Sequence, residues 1–225
     1  MPVRLIIFDK DGTLIDNNVL FSPVVESMLK KLSGDEKEMK KIAKYIGYDL
    51  KNKKFVPEGF IASQPLRVSA KMISQKFKIS EEKIIKSCPP LKINKKTIKP
   101  YVDLQSLFQL FRDEGIKIAM NTSDGRKNTE KCIDILGIRE YLDMVVCGDD
   151  GIPTKPNPDT IEFICDELGI PVSETYMVGD TQADIDAGIS SDCMGIFLVR
   201  EDGNFNKFKN YDYKIKDVSE LENYL

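Results

Sequence analysis

Leu5-Ile6-Ile7-Phe8-Asp9-Lys10-Asp11-Gly12-Thr13-Leu14 is the stretch that decides the fold. An apolar run with the length of a buried strand goes directly into two acids one residue apart, then into a glycine able to turn the backbone tightly. In an open α/β sheet, the residue after a buried strand lies at the sheet's carboxyl edge, where such folds bind their ligands. Alternation across a strand sends Asp9 and Asp11 toward one side and Lys10 away from them. Alone, the segment would be a strand followed by an Asp-Gly turn. The rest of the chain gives it a chemical meaning.

From Pro100 onward the pattern alternates between strands and helices. A helix is expected over Tyr101 to Asp113, with Leu104, Leu107, Phe108 and Phe111 on its core face. Strands are expected at Ile116 to Asn121, Asp143 to Val146, Thr175 to Val178 and Cys193 to Val199. Helices are expected at Arg126 to Leu136, Asn157 to Leu168 and from Thr181, with a further strand and helix at the end of the sequence. Gly137 and Gly169 stand just past the last periodic residues, as helix stops do. Short loops joining alternating β and α units predict an α/β fold: a Rossmann-like parallel sheet with helices on both faces.

Between Asn17 and Lys99 the periodicity is helical. Ser22 is placed to cap a helix with Pro23 at its first position, running to Leu32, and Asp35 to cap another ending near Ile46. Gly47 to Pro65 has no clear period; Leu66 to Phe77 and Ser80 to Ser87 form two more helices, the second stopped by Cys88-Pro89-Pro90. The expected organisation is therefore a core of residues 1–16 and 100–225, with an all-α domain of residues 17–99 inserted after the first strand.

Composition narrows the chemistry. With no histidine, no Ser-His-Asp triad, His-ligated metal or imidazole base can form, and acid/base work falls to carboxylates, Lys, Tyr or Cys. The five cysteines contain no CxxC pair, so neither a zinc site nor a redox motif is indicated, and Cys132 and Cys165 fall on apolar helix faces. A net charge of −3 argues against nucleic acid as a partner, with the Lys92 to Lys99 tract read as a solvated linker. No apolar run has the length of a membrane span and no signal peptide precedes the first strand, so the expectation is a cytoplasmic protein with no membrane partner, monomeric or homodimeric.

Three more polar clusters follow strands of the alternating region: Asn121-Thr122-Ser123, Lys155-Pro156-Asn157-Pro158, and Gly179-Asp180-Thr181-Gln182-Ala183-Asp184. Each alone is a helix cap or a solvated turn. Together with Asp9-x-Asp11-Gly12-Thr13, and in this order, they resemble the haloacid dehalogenase-like hydrolases, specifically the phosphoglycolate-phosphatase-like branch. Lys10 between the acids and Asn121 before Thr122 are less common choices at those positions, and the 17–99 insertion is similar to that branch's helical cap in position and character only.

Up to four carboxylates, Asp9, Asp11, Asp180 and Asp184, would share one site, and an all-oxygen donor set favours Mg²⁺ over zinc. The resemblance implies Asp9 and Asp180 as side-chain ligands, Asp11 as a ligand through its backbone carbonyl, and Asp184 as support. It further implies Asp9 as nucleophile and Asp11 as general acid/base, with Thr122, Ser123 and Lys155 binding the phosphoryl group. The expected activity is that of a phosphoric monoester hydrolase acting on a small phosphorylated metabolite, of the phosphoglycolate or sugar-phosphate type. A phosphomutase on the same scaffold, or a catalytically silent phospholigand-binding module, are the alternatives. Lys51, Lys53, Lys54, Phe55 and Arg67 of the insertion could supply cations and an aromatic ring to the substrate.

Overall fold

The computed structural model describes residues 2–56, 59–61, 64–200 and 203–225. The chain runs β1 (Leu5–Phe8), α1 (Asn17–Leu32), α2 (Glu36–Ile46), β2 (Tyr48–Asp49), β3 (Lys54–Phe55), α3 (Leu66–Phe77) and α4 (Glu81–Ser87). It continues through α5 (Leu104–Asp113), β4 (Lys117–Asn121), α6 (Arg126–Leu136), β5 (Met144–Val146), α7 (Asp159–Leu168), β6 (Thr175–Gly179), α8 (Gln182–Ser190), β7 (Gly195–Val199) and β8 (Tyr213–Ile215). It divides into two compact units, Met1–Asp16 with Ile98–Leu225, and Asn17–Thr97.

The first unit is built on a six-stranded sheet in the order β5-β4-β1-β6-β7-β8, parallel throughout. All four β1 side chains are removed from solvent, and burial of each Leu, Ile or Phe contributes about 1.5–3 kcal/mol. Leu5 and Ile7 join Ala119, Ile161, Ile164, Met177 and Ala187 in one apolar cluster, formed with α7 and α8. On the other face, Phe8 packs against Phe108 and Phe111 of α5, the helix whose periodic apolar positions are all buried. Strand order reverses beside β1: β4 and β5 extend to one side, and the chain then returns to place β6, β7 and β8 on the other. A crevice opens at such a reversal, outside the carboxyl ends of the strands.

The second unit closes around Val25, Met28, Leu29, Ile42, Ile46, Ala70, Ile73 and Ile84. Asp35 caps α2 as expected and Ser80 caps α4, each accepting a backbone N–H from three residues on. The start of α1 differs from expectation. The helix begins at Asn17 and carries Pro23 in its interior, although proline there gives up a backbone hydrogen bond. Tertiary contacts outweigh that cost: Leu20 is buried, Asn18 Oδ1 accepts the Phe55 N–H at 2.9 Å, and Ser22 Oγ donates to the Lys53 carbonyl at 3.0 Å instead of capping.

Those bonds also hold the β2-β3 hairpin, a small antiparallel addition to the otherwise helical second unit. It lies inside the segment read as aperiodic, of which residues 57, 58, 62 and 63 lie outside the described residues. Among the described residues, no helix is long and apolar enough to cross a membrane.

Candidate active site

Asp9 follows β1 directly, and its backbone N–H donates to the Val178 carbonyl at 2.9 Å, fastening it to β6. Asp180 follows β6 in the same way. At position 12 the backbone must be glycine: φ is +91°, and a Cβ would lie 2.3 Å from Asp180 Oδ2. The turn after β1 thus brings the backbone of one motif against the carboxylate of the other. Thr13, fully buried, adds a hydroxyl donated to Asp180 Oδ1 at 3.4 Å.

Asp184 sits in the first turn of α8, where a reciprocal capping box fixes it. Thr181 donates to Asp184 Oδ2 through N at 2.9 Å and through Oγ1 at 2.6 Å, while the Thr181 side chain accepts the Asp184 N–H. Gly179 makes room, since a Cβ there would meet Asp184 Cγ at 2.2 Å. Asp9, Asp180 and Asp184 thereby offer carboxylate oxygens all within 4.8 Å of one another.

Lys155 is buried among them. Its Nζ lies 2.7 Å from Asp9 Oδ1 and 2.5 Å from Asp184 Oδ1, and donates to the Asn121 carbonyl at 2.7 Å. Burial would depress its ammonium, but Asp184 and then Asp9 raise it above the ordinary lysine value. Burial pushes the Asp9 carboxyl up to about 7, with Asp184 adding to the rise and Lys155 opposing it. Burial, then Asp9 and Asp184, hold Asp180 well above the carboxylate range.

The Lys155 ammonium and the Arg200 guanidinium, which acts on Asp180, together carry less charge than the three acids. The shortage of positive charge, together with an all-oxygen donor set, fits a hard divalent cation on Asp9, Asp180 and Asp184.

Asp11 does not join that cluster through its carboxylate, and Lys10 does not point away. The Lys10 side chain is fully buried, with Nζ 2.7 Å from Asp11 Oδ2 and 3.1 Å from Asp124 Oδ2. Alternation ends with β1 at Phe8. The following turn, in which the Lys10 carbonyl accepts the Leu14 and Ile15 N–H groups, curls Lys10 and Asp11 together. Burial raises the Asp11 carboxyl despite the Lys10 ammonium beside it.

Thr122 stands at the end of β4, buried, with its N–H on the Val146 carbonyl at 3.0 Å and its Oγ1 accepting the Asp124 N–H at 3.1 Å. Ser123 beside it is half-buried. Asn121 contributes more than a helix cap: its side chain donates to Thr160 Oγ1 of α7 at 2.8 Å, and its carbonyl receives Lys155.

In the second unit, Phe55 packs on Tyr48 with ring centroids 5.2 Å apart, and Lys53 lies 3.4 Å from Glu26. Lys51, Lys54 and Arg67 are exposed.

Asp124 and the buried ion pair it completes escaped sequence reasoning. A lysine between two acids at the end of an apolar strand, and an acid two residues after Thr122, were the available signals.

Over 186 residues the chain is 28% identical to a phosphoglycolate phosphatase of Aquifex aeolicus, covering 83% of this chain and 80% of that protein. It is 26% identical over 225 residues to the pyrophosphatase PpaX of Halalkalibacterium halodurans, with 98% and 96% covered. Among solved structures, a predicted phosphatase from Clostridium acetobutylicum aligns with a TM-score of 0.73 at 19% identity, over 100% of this chain and 98% of its own. A HAD phosphatase from Thermococcus onnurineus aligns with a TM-score of 0.67 at 21% identity, covering 98% and 97%. These two share the fold. The haloacid dehalogenase-like hydrolase family model matches residues 3–192, from the strand before Asp9 to beyond Asp184. The chain belongs to that family of hydrolases.

Proposed function

We propose that the protein is a Mg²⁺-dependent phosphatase that hydrolyses a small phosphorylated metabolite through an aspartyl-phosphate on Asp9. The observation that carries this reading is Lys155, buried between Asp9 and Asp184 with Asp180 completing the acidic group, at the carboxyl ends of adjacent parallel strands. Asp9, Asp180 and Asp184 would hold the cation. When bound, Mg²⁺ supplies positive charge that offsets the acids and draws electron density from a phosphoryl oxygen.

The residues divide the remaining work. Lys155 withdraws charge from Asp9 and carries an ammonium to the phosphoryl oxygens, while the Thr122 hydroxyl and nearby backbone N–H groups orient them. An Asp9 oxygen attacks phosphorus, forming the acyl phosphate as the bond to the leaving oxygen breaks. Asp11, its carboxyl raised by burial, supplies a proton to that oxygen and later takes one from the water that attacks the aspartyl-phosphate.

The relatives named for phosphoglycolate and pyrophosphate define the first substrates to test. The experiment is hydrolysis of 4-nitrophenyl phosphate and of a panel holding phosphoglycolate, sugar phosphates and pyrophosphate, with Mg²⁺ and with EDTA. Release of phosphate only with Mg²⁺, lost in Asp9→Asn, supports the reading. Transfer of the phosphoryl group between sugar hydroxyls would make the protein a mutase, and binding without turnover would make it a silent module.

A further inference from the structure

The net charge of −3 hides a division. Residues 17–97 hold 18 lysines and arginines against 8 acids, a net charge of +10, whereas residues 1–16 and 98–225 hold 15 against 28, a net charge of −13. Charge of opposite sign on the two compact units makes each a surface for a partner of the other sign.

In the second unit the lysines gather around a cleft of about 800 Å³ between α1, α2 and the β2-β3 hairpin. Met39, Leu50 and Val56, each half-buried, give it an apolar lining, and Lys30, Lys40, Lys44 and Lys51 stand exposed along it. The acids of the cleft are already engaged: Glu26 by the Tyr48 hydroxyl and Lys53, Glu36 by Lys40, and Asp49 by the Lys51 and Asn52 N–H groups. Among the described residues, Lys30, Lys37, Lys41 and Lys44 form no ion pair.

The first unit carries the complement on α7. That helix has no lysine or arginine, and it exposes Asp159, Glu162, Asp166 and Glu167, none of them in an ion pair among the described residues. Phe163 lies among these acids with 38% of its surface exposed. Asp159 comes four residues before it, and Asp166 and Glu167 three and four after, so carboxylates flank its position in both directions along the helix. Asp159, Glu162 and Asp166 repeat the spacing of Lys37, Lys40 and Lys44 on α2. A phenyl ring matches the apolar lining and the carboxylates match the lysines; a nucleic-acid backbone would meet the lysines and leave the lining unmatched.

We propose that the lysine-lined cleft of the inserted unit docks the exposed face of α7 from a second copy of this chain. The two surfaces differ, so the contact is heterologous and every copy offers both halves of it. The ammoniums steer and align the acidic face, and Phe163 leaves water for the apolar lining. One helix face in one cleft is a small contact, so the association is weak and salt-sensitive.

Sedimentation velocity of the whole protein, between about 1 µM and 1 mM, covers the range of such contacts. Wild type is expected to associate as concentration rises, with affinity falling at least about tenfold between about 50 mM and 500 mM NaCl. Lys44→Glu and Asp166→Lys should each sediment as monomers. An equimolar mixture of the two should associate again, because it unites an intact cleft with an intact α7. Phe163→Ser, which leaves every charge in place, should weaken association at least about tenfold. Should either charge variant fail to fold, Lys30→Glu or Glu162→Lys replaces it.

A wild type that stays monomeric throughout, association that ignores salt or these substitutions, or a mixture that stays monomeric overturns the proposal. So does a monomeric wild type that binds poly-L-glutamate or a single-stranded oligonucleotide, with binding lost in Lys44→Glu, since the cleft would then serve a different partner.

Discussion

Asp180→Asn should make the metal-free protein more stable and the Mg²⁺-loaded protein less able to profit from its metal. Asp180 shares a buried cluster with Asp9 and Asp184, their oxygens within 4.8 Å of one another. Two carboxylate charges at that separation repel by about 3.5 kcal/mol at an effective dielectric near 20. Lys155 offsets part of this from beside the other two acids. Arg200 also acts on Asp180 against the repulsion, while burial and the two neighbouring acids disfavour its charge.

An amide keeps the side chain's size without the charge, so a gain of about 1–3 kcal/mol is expected without metal, or roughly 2 to 12 °C in Tm for a chain of this size. Mg²⁺ at 100 times its Kd should add about 2.7 kcal/mol to wild type, and much less to the variant, which has lost one of three carboxylates. Calorimetry in EDTA and across a Mg²⁺ titration measures both effects. A variant that melts lower than wild type in EDTA, or that keeps the full Mg²⁺ shift, would refute the idea that these acids are held together for a cation.

Lys155→Met removes the cation between Asp9 and Asp184. It should lower the metal-free Tm, because stranding buried charges costs about 3–5 kcal/mol, and should cut kcat/KM at least 100-fold, about 2.7 kcal/mol of transition-state stabilisation; near-normal rates would exclude Lys155 from the phosphoryl site. Asp11→Asn should reduce kcat on alkyl phosphates by about 10² to 10⁴ and less on 4-nitrophenyl phosphate, a contrast that steady-state kinetics on the two esters reads directly. In the metal-free protein the Asp9 carboxyl is pushed up from 3.8 to about 7, so between those values the folded state binds the extra proton and its stability falls as pH rises. Asp9→Asn should flatten that part of the Tm profile in EDTA. Mg²⁺ affinity should rise with pH through about 7, with proton release on binding that titration calorimetry in two buffers can detect; affinity independent of pH would contradict the shift.

The parallel sheet was legible because each of its long strands is an apolar run bounded by helix signals, and because α5 carries its apolar residues at helical spacing. Asp9, Thr122, Lys155, Asp180 and Asp184 were legible as candidates because each follows a strand, and parallel strands bring such positions to one edge. Local pattern was silent where the deciding contact is distant in sequence. Locally Pro23 reads as a helix start because proline favours that position; the bonds that carry α1 past it run from Asn18 and Ser22 to the β2-β3 hairpin. Strand alternation points Lys10 away from Asp9 and Asp11 only if it is extended two residues beyond the strand's end at Phe8. Its second partner, Asp124, lies 114 residues further on, and no periodicity links the two.

The central claim is that Asp9 carries the phosphoryl group in covalent linkage, and acid quenching during turnover tests it most directly. Borohydride reduces an aspartyl-phosphate to homoserine, which peptide mass mapping can place in the sequence. Wild-type protein quenched while hydrolysing substrate with Mg²⁺ should yield homoserine at position 9 and at no other aspartate, and protein quenched without substrate should yield none. Label at another residue would contradict the account, as would steady hydrolysis in Asp9→Asn.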